Sequence, residues 1–316
     1  MDNLLFALNV IVPIFVLLLV GSIARHLDWI KITTLNDLNR FIFKLPLPLM
    51  LFFNIYNMDR DTQFTNDSIK LVLLIIGVFT GIAVFGSFIL NRTTKLDSSQ
   101  KGVLVQAWFR GNTIIFGLPL ATSLYGENGL TIVSIIIITA IASSNVIAVI
   151  LLELYRGENI KAKQLTISVI KNPLLIAAFL GFIFYLINIS IPSIILTPLM
   201  TLGKTATPLA FIVLGGTLEL SKLGKNFKLI IVGSLGRLVG TPLLLVGIGW
   251  AIGLRGNYIG SIIAAMATPV AVVSYTMSRE MGGDGELAGQ IVVVSTFLSV
   301  FTLFLWIFFA KTYGIL

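Results

Sequence analysis

The chain has no cysteine and a single histidine, His26. Disulfides, thiolate metal sites and cysteine nucleophiles are therefore excluded, and a paired-histidine metalloprotease motif cannot be built. Charge is scarce too: 11% of the 316 residues are Asp, Glu, Lys or Arg, against about 25% in soluble globular domains. No Gly-x-x-x-x-Gly-Lys-Ser/Thr phosphate loop and no Gly-x-Ser-x-Gly elbow occurs, so neither an intrinsic ATP motor nor a serine hydrolase is expected. The reading is of a protein that is no enzyme and carries no cofactor and no metal site. Acids are missing where a cation carrier would want them. None lies between Asp67 and Asp97, between Asp97 and Glu127, or between Glu219 and Glu280. Cation antiporters and proton pumps usually hold an Asp or Glu at membrane depth, so a carboxylate-based sodium or proton site is not expected and an anionic substrate is.

What the chain does have is hydrocarbon, with 56% hydrophobic residues. Apolar windows near the ~20 residues of a bilayer crossing fall at 4–25, 36–57, 69–90, 98–125, 128–153, 172–190, 194–219, 226–252, 257–280 and 286–311. This predicts an all-α polytopic membrane protein with about ten transmembrane helices. The first run lacks a basic flank and a cleavage site and reads as a retained helix. The net charge of +8 does not point to nucleic acid, because the basic residues cluster in short loops. One alternating set of loops holds Arg25, Lys31, Arg92, Lys95, Lys101, Arg156, Lys161, Lys163, Lys171, Lys222, Lys225, Lys228 and Arg279, and the other only Arg60, Lys70, Arg255 and Lys311. The positive-inside rule then predicts a cell-membrane protein with both termini outside and the 155–171 connection in the cytoplasm.

Internal similarity divides the chain. Lys44-Leu-Pro-Leu-Pro48-Leu49 resembles Lys204-Thr-Ala-Thr-Pro208-Leu209, and an acid follows each proline at one distance, Asp59 and Glu219. Tyr125-Gly-Glu-Asn-Gly-Leu130 resembles Met281-Gly-Gly-Asp-Gly-Glu-Leu287 with one insertion. The common offset is about half the chain, as in two-repeat transporters. Five crossings per half make the halves inverted. The expected organisation is a first five-helix repeat over 1–155, a cytoplasmic connecting loop over 156–171, and a second, inverted five-helix repeat over 172–316.

The fourth and ninth windows are interrupted. Trp108-Phe-Arg110-Gly111-Asn112-Thr113-Ile-Ile-Phe-Gly117-Leu-Pro119 places a guanidinium, an amide, two glycines and a proline at mid-membrane, and Ala267-Thr268-Pro269-Val270, then Ser274 and Tyr275, interrupts the other. Gly and Pro loosen or break helices, and a broken helix at that depth must face protein or a watery cavity. Each break exposes a half-helix N-terminus with unpaired N–H groups and about half a positive charge, and two starts at one depth make an anion site. Arg110 adds a full charge and a planar fork suited to carboxylate. The candidate substrate contacts are Arg110, Gly111, Asn112, Thr113, Thr268, Pro269 and Ser274, and the helix crossover is expected at Gly111, Gly117, Pro119 and Pro269. For Arg110 the alternative is snorkelling or a pairing with the carbonyl end of its own half-helix. Lys44 and Lys204, near the starts of windows two and seven, suit interfacial snorkelling or gating. Arg237 is expected to pair with Glu153 or Glu219 or to cap carbonyls. Gly77, Gly81, Gly86, Gly233, Gly236 and Gly240 are expected to mark close helix packing. The clusters Ser143-Ser144-Asn145 and Ser295, Thr296, Ser299 either line the path or bridge helices.

Asn112-Thr113-x-x-x-Gly117-x-Pro119-Leu120 with Leu124-Tyr125-Gly126, Pro208-Leu209-Ala210 through Leu214-Gly215-Gly216-x-Leu218, and Leu45-Pro46-x-Pro48 with Phe52 resemble motifs of the auxin efflux carrier family, across essentially the whole chain. The resemblance implies two inverted five-helix repeats, crossing interrupted helices four and nine, an elevator-like motion of a transport domain against a scaffold, and a homodimer. By position Asn112 matches the family's substrate-carboxylate contact and Pro269 its ninth-helix crossover proline. Plant members carry proline where this chain has Gly111, and many have a long central loop that is absent here. The expected substrate is therefore not auxin but a small organic acid such as malate, malonate or lactate, as in the short-loop bacterial branch. The expected function is a secondary transporter of such anions. The rivals are a sodium-coupled symporter of related architecture, a ligand-binding membrane sensor with a transporter fold, and an anion channel. Beyond the carboxylate and the bilayer, no nucleic acid partner is expected.

Overall fold

The computed structural model describes residues 2–57, 65–117, 120, 130–156, 162–219 and 223–312. Asp59, Pro119 and residues 125–129 of the repeat motif lie outside these. Regular structure among the described residues is helical. Six helical rods are long and apolar enough to cross a membrane: Ile32–Tyr56, Asn66–Thr93, Ile132–Tyr155, Ser193–Thr217, Gly224–Ala251 and Gly285–Ala310. Shorter apolar helices accompany them.

One group of helices is held by close backbone approach. Helix α1 (Asp2–His26) is followed by α2 (Ile32–Lys44) and α3 (Pro46–Tyr56). The last two form one rod broken at Leu45, where Pro46 opens α3 without an N–H to offer. Farther along, α8 (Pro173–Leu186) precedes α9 (Ser193–Lys204) and α10 (Ala206–Thr217), a second rod broken at Thr205. Helix α1 packs along α10, and α8 along α3. A Cβ on Gly21 would overlap the Ile212 carbonyl, one on Gly215 would overlap that of Leu18, and one on Gly181 would sit 2.8 Å from that of Phe52. Small residues permit this approach in membrane bundles. The two broken rods meet at their midpoints, where a Cβ on Gly203 would lie 2.9 Å from the Met50 nitrogen. Lys44 and Lys204 thus stand one residue before the two breaks, exposed, halfway along each rod rather than at its start.

The second group is built from α4 (Asn66–Thr93), α5 (Ser98–Phe109), α6 (Leu130–Tyr155), α11 (Leu223–Leu235), α12 (Thr241–Ala251), α13 (Asn257–Met266), α14 (Val273–Glu280) and α15 (Gly285–Thr312). Helix α4 packs on α6 and α5, and α11 on α15. Two indoles pin the group: Trp108 Nε1 donates to the Val232 carbonyl at 3.1 Å and Trp306 Nε1 to that of Leu238 at 2.9 Å. A helix, α7 (Ala162–Ile170), lies inside the connection expected as a loop. The glycines divide. Gly86 and Gly236 make room for the Trp108 ring and Gly233 for Ile291. Gly77 meets nothing within 4 Å, Gly81 only Phe85 of its own helix at 4.0 Å, and Gly240 only its own turn. The expectation of close packing at those three positions is corrected: no other helix comes within 4 Å of where their Cβ atoms would be, and Gly77 faces open space.

A crossing of two broken helices as the candidate site

Helix α5 ends at Phe109, the chain runs extended through Arg110, and a π-helical turn, Thr113–Gly117, follows. Helix α13 ends at Met266 and α14 begins at Val273. The two gaps meet. Gly111 pairs antiparallel with Val270, Asn112 N–H donates to the Pro269 carbonyl at 2.8 Å, and Ala271 N–H donates to the Arg110 carbonyl at 3.2 Å. Each break thereby satisfies backbone groups of the other, which non-helical backbone at membrane depth requires. Gly117 supports the approach, since a Cβ there would lie 2.9 Å from Ala265 Cα.

Arg237 occupies the carbonyl side of the crossing. It lies in a π-helical turn, Gly236–Gly240, between α11 and α12, and is fully buried. Its Nε donates to the Thr268 carbonyl at 2.9 Å, Nη2 to Thr268 Oγ1 at 2.9 Å, and Nη1 to the Phe109 carbonyl at 3.3 Å. One guanidinium therefore joins the two carbonyl ends. Each helix C-terminus carries about half a negative charge, so one full positive charge offsets both. The expected pairing with Glu153 or Glu219 gives way to the carbonyl cap, and Glu153 pairs with Arg156 at 3.4 Å instead. A Cβ on Gly111 would overlap the Arg237 guanidinium. That overlap is the physical reason this chain has glycine at 111. Thr241 Oγ1 ties the same region to the Trp108 carbonyl.

Arg110 occupies the other side and is 4% exposed. Its Nη2 donates to Asn145 Oδ1 at 2.7 Å, and the Asn145 amide is itself oriented by donating to the Ile141 carbonyl at 2.7 Å. Arg110 Nη1 is buried with no hydrogen-bond partner. The capping alternative for Arg110 belongs to Arg237. Ser274, in the first turn of α14, is 3% exposed and its Oγ also lacks a partner. Gln106 Oε1 accepts from Ser278 Oγ at 3.0 Å, leaving Gln106 Nε2 unpartnered. That bond lays α5 beside α14, with Arg110 and Ser274 each one turn nearer the crossing than the bonded pair. Thr113 is buried and Asn112 half-buried. Thr268 and Pro269 serve the crossing's framework, through the bonds to Arg237 and Asn112. Of the two polar clusters, Asn145 and Ser295 bridge to the crossing, Ser295 Oγ accepting from Val270 N–H at 3.1 Å. Ser143, Ser144, Thr296 and Ser299 bond within their own helices. No hydrogen bond joins Lys44 or Lys204 to the crossing among the described residues.

A polar seam unremarked in the sequence ties α14 to the first group. Tyr275 and Thr217 hydroxyls share a hydrogen bond of 2.6 Å, Arg279 Nη1 donates to Tyr275 at 2.5 Å, and Arg279 Nη2 donates to Asn36 Oδ1. One residue on, Asn39 Nδ2 donates to Glu280 Oε1 at 2.8 Å. Tyr275 and Arg279 also line a cavity of about 310 Å³ with Glu219 and Glu286. The hydrogen-bonded residues are scattered over α2, α10 and α14, and only their polarity beside apolar runs marks them.

Broken helices crossing at membrane depth inside a bundle of apolar rods define a multi-pass membrane transporter. The chain belongs to the auxin efflux carrier family of membrane transporters: the family model described as "Membrane transport protein" matches residues 6–307. It is 25% identical to an uncharacterized transporter of Methanothermobacter thermautotrophicus, over 94% of this chain and 96% of that one. An uncharacterized transporter of Methanocaldococcus jannaschii is 24% identical over 95% and 97%, and one of Escherichia coli 23% over 98% and 99%. Among solved structures, the sodium proton antiporter MjNhaP1 from Methanocaldococcus jannaschii at pH 8 shares the fold, with a TM-score of 0.55, 16% identity and coverage of 93% and 92%.

Proposed function

We propose that the protein is a secondary transporter of small organic anions, mono- or dicarboxylates of the malate, malonate or lactate type, working by an elevator-like alternation. One observation carries the reading: the crossing holds two buried arginines, and only in Arg110 is a buried guanidinium nitrogen without a partner. Its fixed Nη2 arm orients Nη1, which awaits an acceptor that no described residue supplies. A buried charged donor left unpaired costs several kcal/mol, and a carboxylate is the acceptor that best relieves it. Asn112, Thr113 and Ser274 stand at the amide side of the same crossing. No acid lies in either interrupted segment before Glu280, which speaks against exchange of cations at this site and keeps the antiporter likeness a likeness of fold.

The elevator reading draws on the division into two groups. We take the first, α1–α3 with α8–α10, as scaffold and the second as the moving bundle. The rods pair in a matched way, α1 on α10 and α8 on α3, as ten crossings in two inverted repeats, 1–155 and 172–316, would require. The seam from Tyr275 and Arg279 to Thr217 and Asn36 would then hold the bundle against the scaffold at the end bearing the 155–171 connection. Charge bias puts that end in the cytoplasm and both termini outside, in a cell-membrane homodimer. Lys44 and Lys204, at the two breaks of the scaffold rods, keep a gating role.

The test is thermal shift of the purified protein with a panel of small mono- and dicarboxylates, with and without sodium. Ligand that binds the folded state raises the melting temperature by mass action. A shift that needs no sodium is expected. A shift only with sodium selects the symporter, and no shift with any carboxylate rejects the anion reading.

A further inference from the structure

The open glycines on α4 do not belong to the crossing. With Leu73, Val78 and Phe85 they line a groove of about 890 Å³, together with Leu244 and Ile248 of α12, Ile252 just past its end, and Trp108 of α5. The volume is that of a small-molecule site, roughly 300–1,000 Å³. The lining is apolar except at one end, where Lys70 stands. From Lys70 to Ile89 the groove follows α4 for about 28 Å at ~1.5 Å per residue, close to the ~30 Å hydrocarbon core of a bilayer. It is bounded by α4, α5 and α12, and no residue of α1–α3 or α8–α10 lines it. A helix neighbour is not what the glycines accommodate, because nothing lies within 4 Å of where a Cβ of Gly77 would be.

We propose that this groove is a binding site for one zwitterionic glycerophospholipid, its acyl chain lying over Gly77 and Gly81 and its headgroup at Lys70. The chemistry of the mouth selects the headgroup. Lys70 Nζ is 2.8 Å from Asp67 Oδ1, and both side chains are nearly half exposed. A cation beside an anion complements a headgroup carrying a phosphate and an ammonium. Lys70 meets the phosphate, and Asp67 accepts from the ammonium. An anionic headgroup would satisfy Lys70 and face Asp67 with like charge. One acyl chain needs an apolar channel of about half the ~30 Å hydrocarbon core, the groove is longer than that, and Gly77 and Gly81, 7 and 11 residues along α4 from Lys70, deepen its wall within about that reach.

The experiment is native mass spectrometry of the detergent-purified full chain, back-titrated with phosphatidylethanolamine or phosphatidylglycerol of identical chains. The wild type is expected to retain one phosphatidylethanolamine per chain, with about two- to fivefold preference over phosphatidylglycerol, the scale of one exposed ion pair. The double variant Gly77→Leu/Gly81→Leu fills the groove and is expected to lose the bound lipid. Its side chains enter open space, so an unchanged melting temperature and elution volume are expected and serve as the control for folding. Asp67→Asn is expected to keep a bound lipid and lose the preference. Equal retention by the groove-filled variant, equal affinity of the wild type for both headgroups, or a groove occupied by a second copy of the chain overturns the proposal. If the double variant fails to fold, the headgroup preference and its loss in Asp67→Asn decide alone.

Discussion

The two sides of the helix crossing each carry one buried arginine and use it differently. On the carbonyl side, Arg237 places Nε, Nη1 and Nη2 on Thr268 and Phe109. On the amide side, Arg110 places one arm on Asn145 and leaves Nη1 without a partner. The first arginine completes the backbone of two broken helices. The second is held in position by one bond and has capacity left over. Burial alone does not separate these roles, since both are almost wholly enclosed; the tally of satisfied donors does. The same tally explains Gly111, whose missing side chain is the space Arg237 fills.

Substitutions at Arg237 and Gly111 probe this contrast and one at Tyr275 probes the seam, in falling order of effect. Arg237→Ala strips the two carbonyl ends of their cap and is expected to cost about 3–5 kcal/mol, the scale of breaking a buried charged network. It should show as a large fall in melting temperature with or without ligand, and Arg237→Lys should recover only part because the planar fork is lost. A melting temperature close to wild type for Arg237→Ala would remove the distinction. Gly111→Ala forces a methyl group against the same guanidinium and is expected to cost about 1–3 kcal/mol, as overpacking does. Pairing it with Arg237→Ala should give less than the sum of the two losses, because the overlap disappears with the guanidinium, and strict additivity would count against it. Tyr275→Phe cuts the hydroxyl that joins Thr217 to Arg279 and is expected to cost about 0.5–1.5 kcal/mol. Because the chain has no cysteine, the seam is open to cross-linking. Asn36→Cys with Arg279→Cys, joined by a bifunctional thiol reagent long enough to span the Arg279–Asn36 contact, is expected to stop transport and spare ligand binding, and uptake at the wild-type rate in the cross-linked form would show that the seam need not open.

Much of this was legible in the sequence, for identifiable reasons. Apolar windows report bilayer crossings because lipid tolerates little else, and most rods fall where those windows lie. The breaks at Arg110-Gly111-Asn112 and near Pro269 were visible because Gly and Pro have local backbone effects. That the breaks bond to each other was foreshadowed by the half-chain offset of the repeats and by the crossing that the family resemblance implies, and by nothing local, since the bonding groups are backbone atoms and carry no residue signature. For the same reason Arg237 kept two readings, an acid partner or carbonyl caps. Helix α7 was hidden because Lys161 and Lys163 mark its start as a loop. Gly77 and Gly81 misled because a glycine reads alike whether it admits a neighbouring helix or leaves a groove. Asn36, Gln106 and Ser278 went unremarked because single polar residues in apolar runs gain meaning only from their partners.

The central claim is that Arg110 faces ligand and Arg237 faces backbone. The most direct measurement is carboxylate-induced thermal shift of Arg110→Ala beside the wild type, using the acid that gives the largest wild-type shift. The account predicts an unliganded melting temperature within a few degrees of wild type and a loss of apparent affinity of about tenfold to over a hundredfold, as expected for one charge-assisted hydrogen bond. Wild-type affinity in Arg110→Ala would contradict it and return Arg110 to the structural role that Arg237 fills.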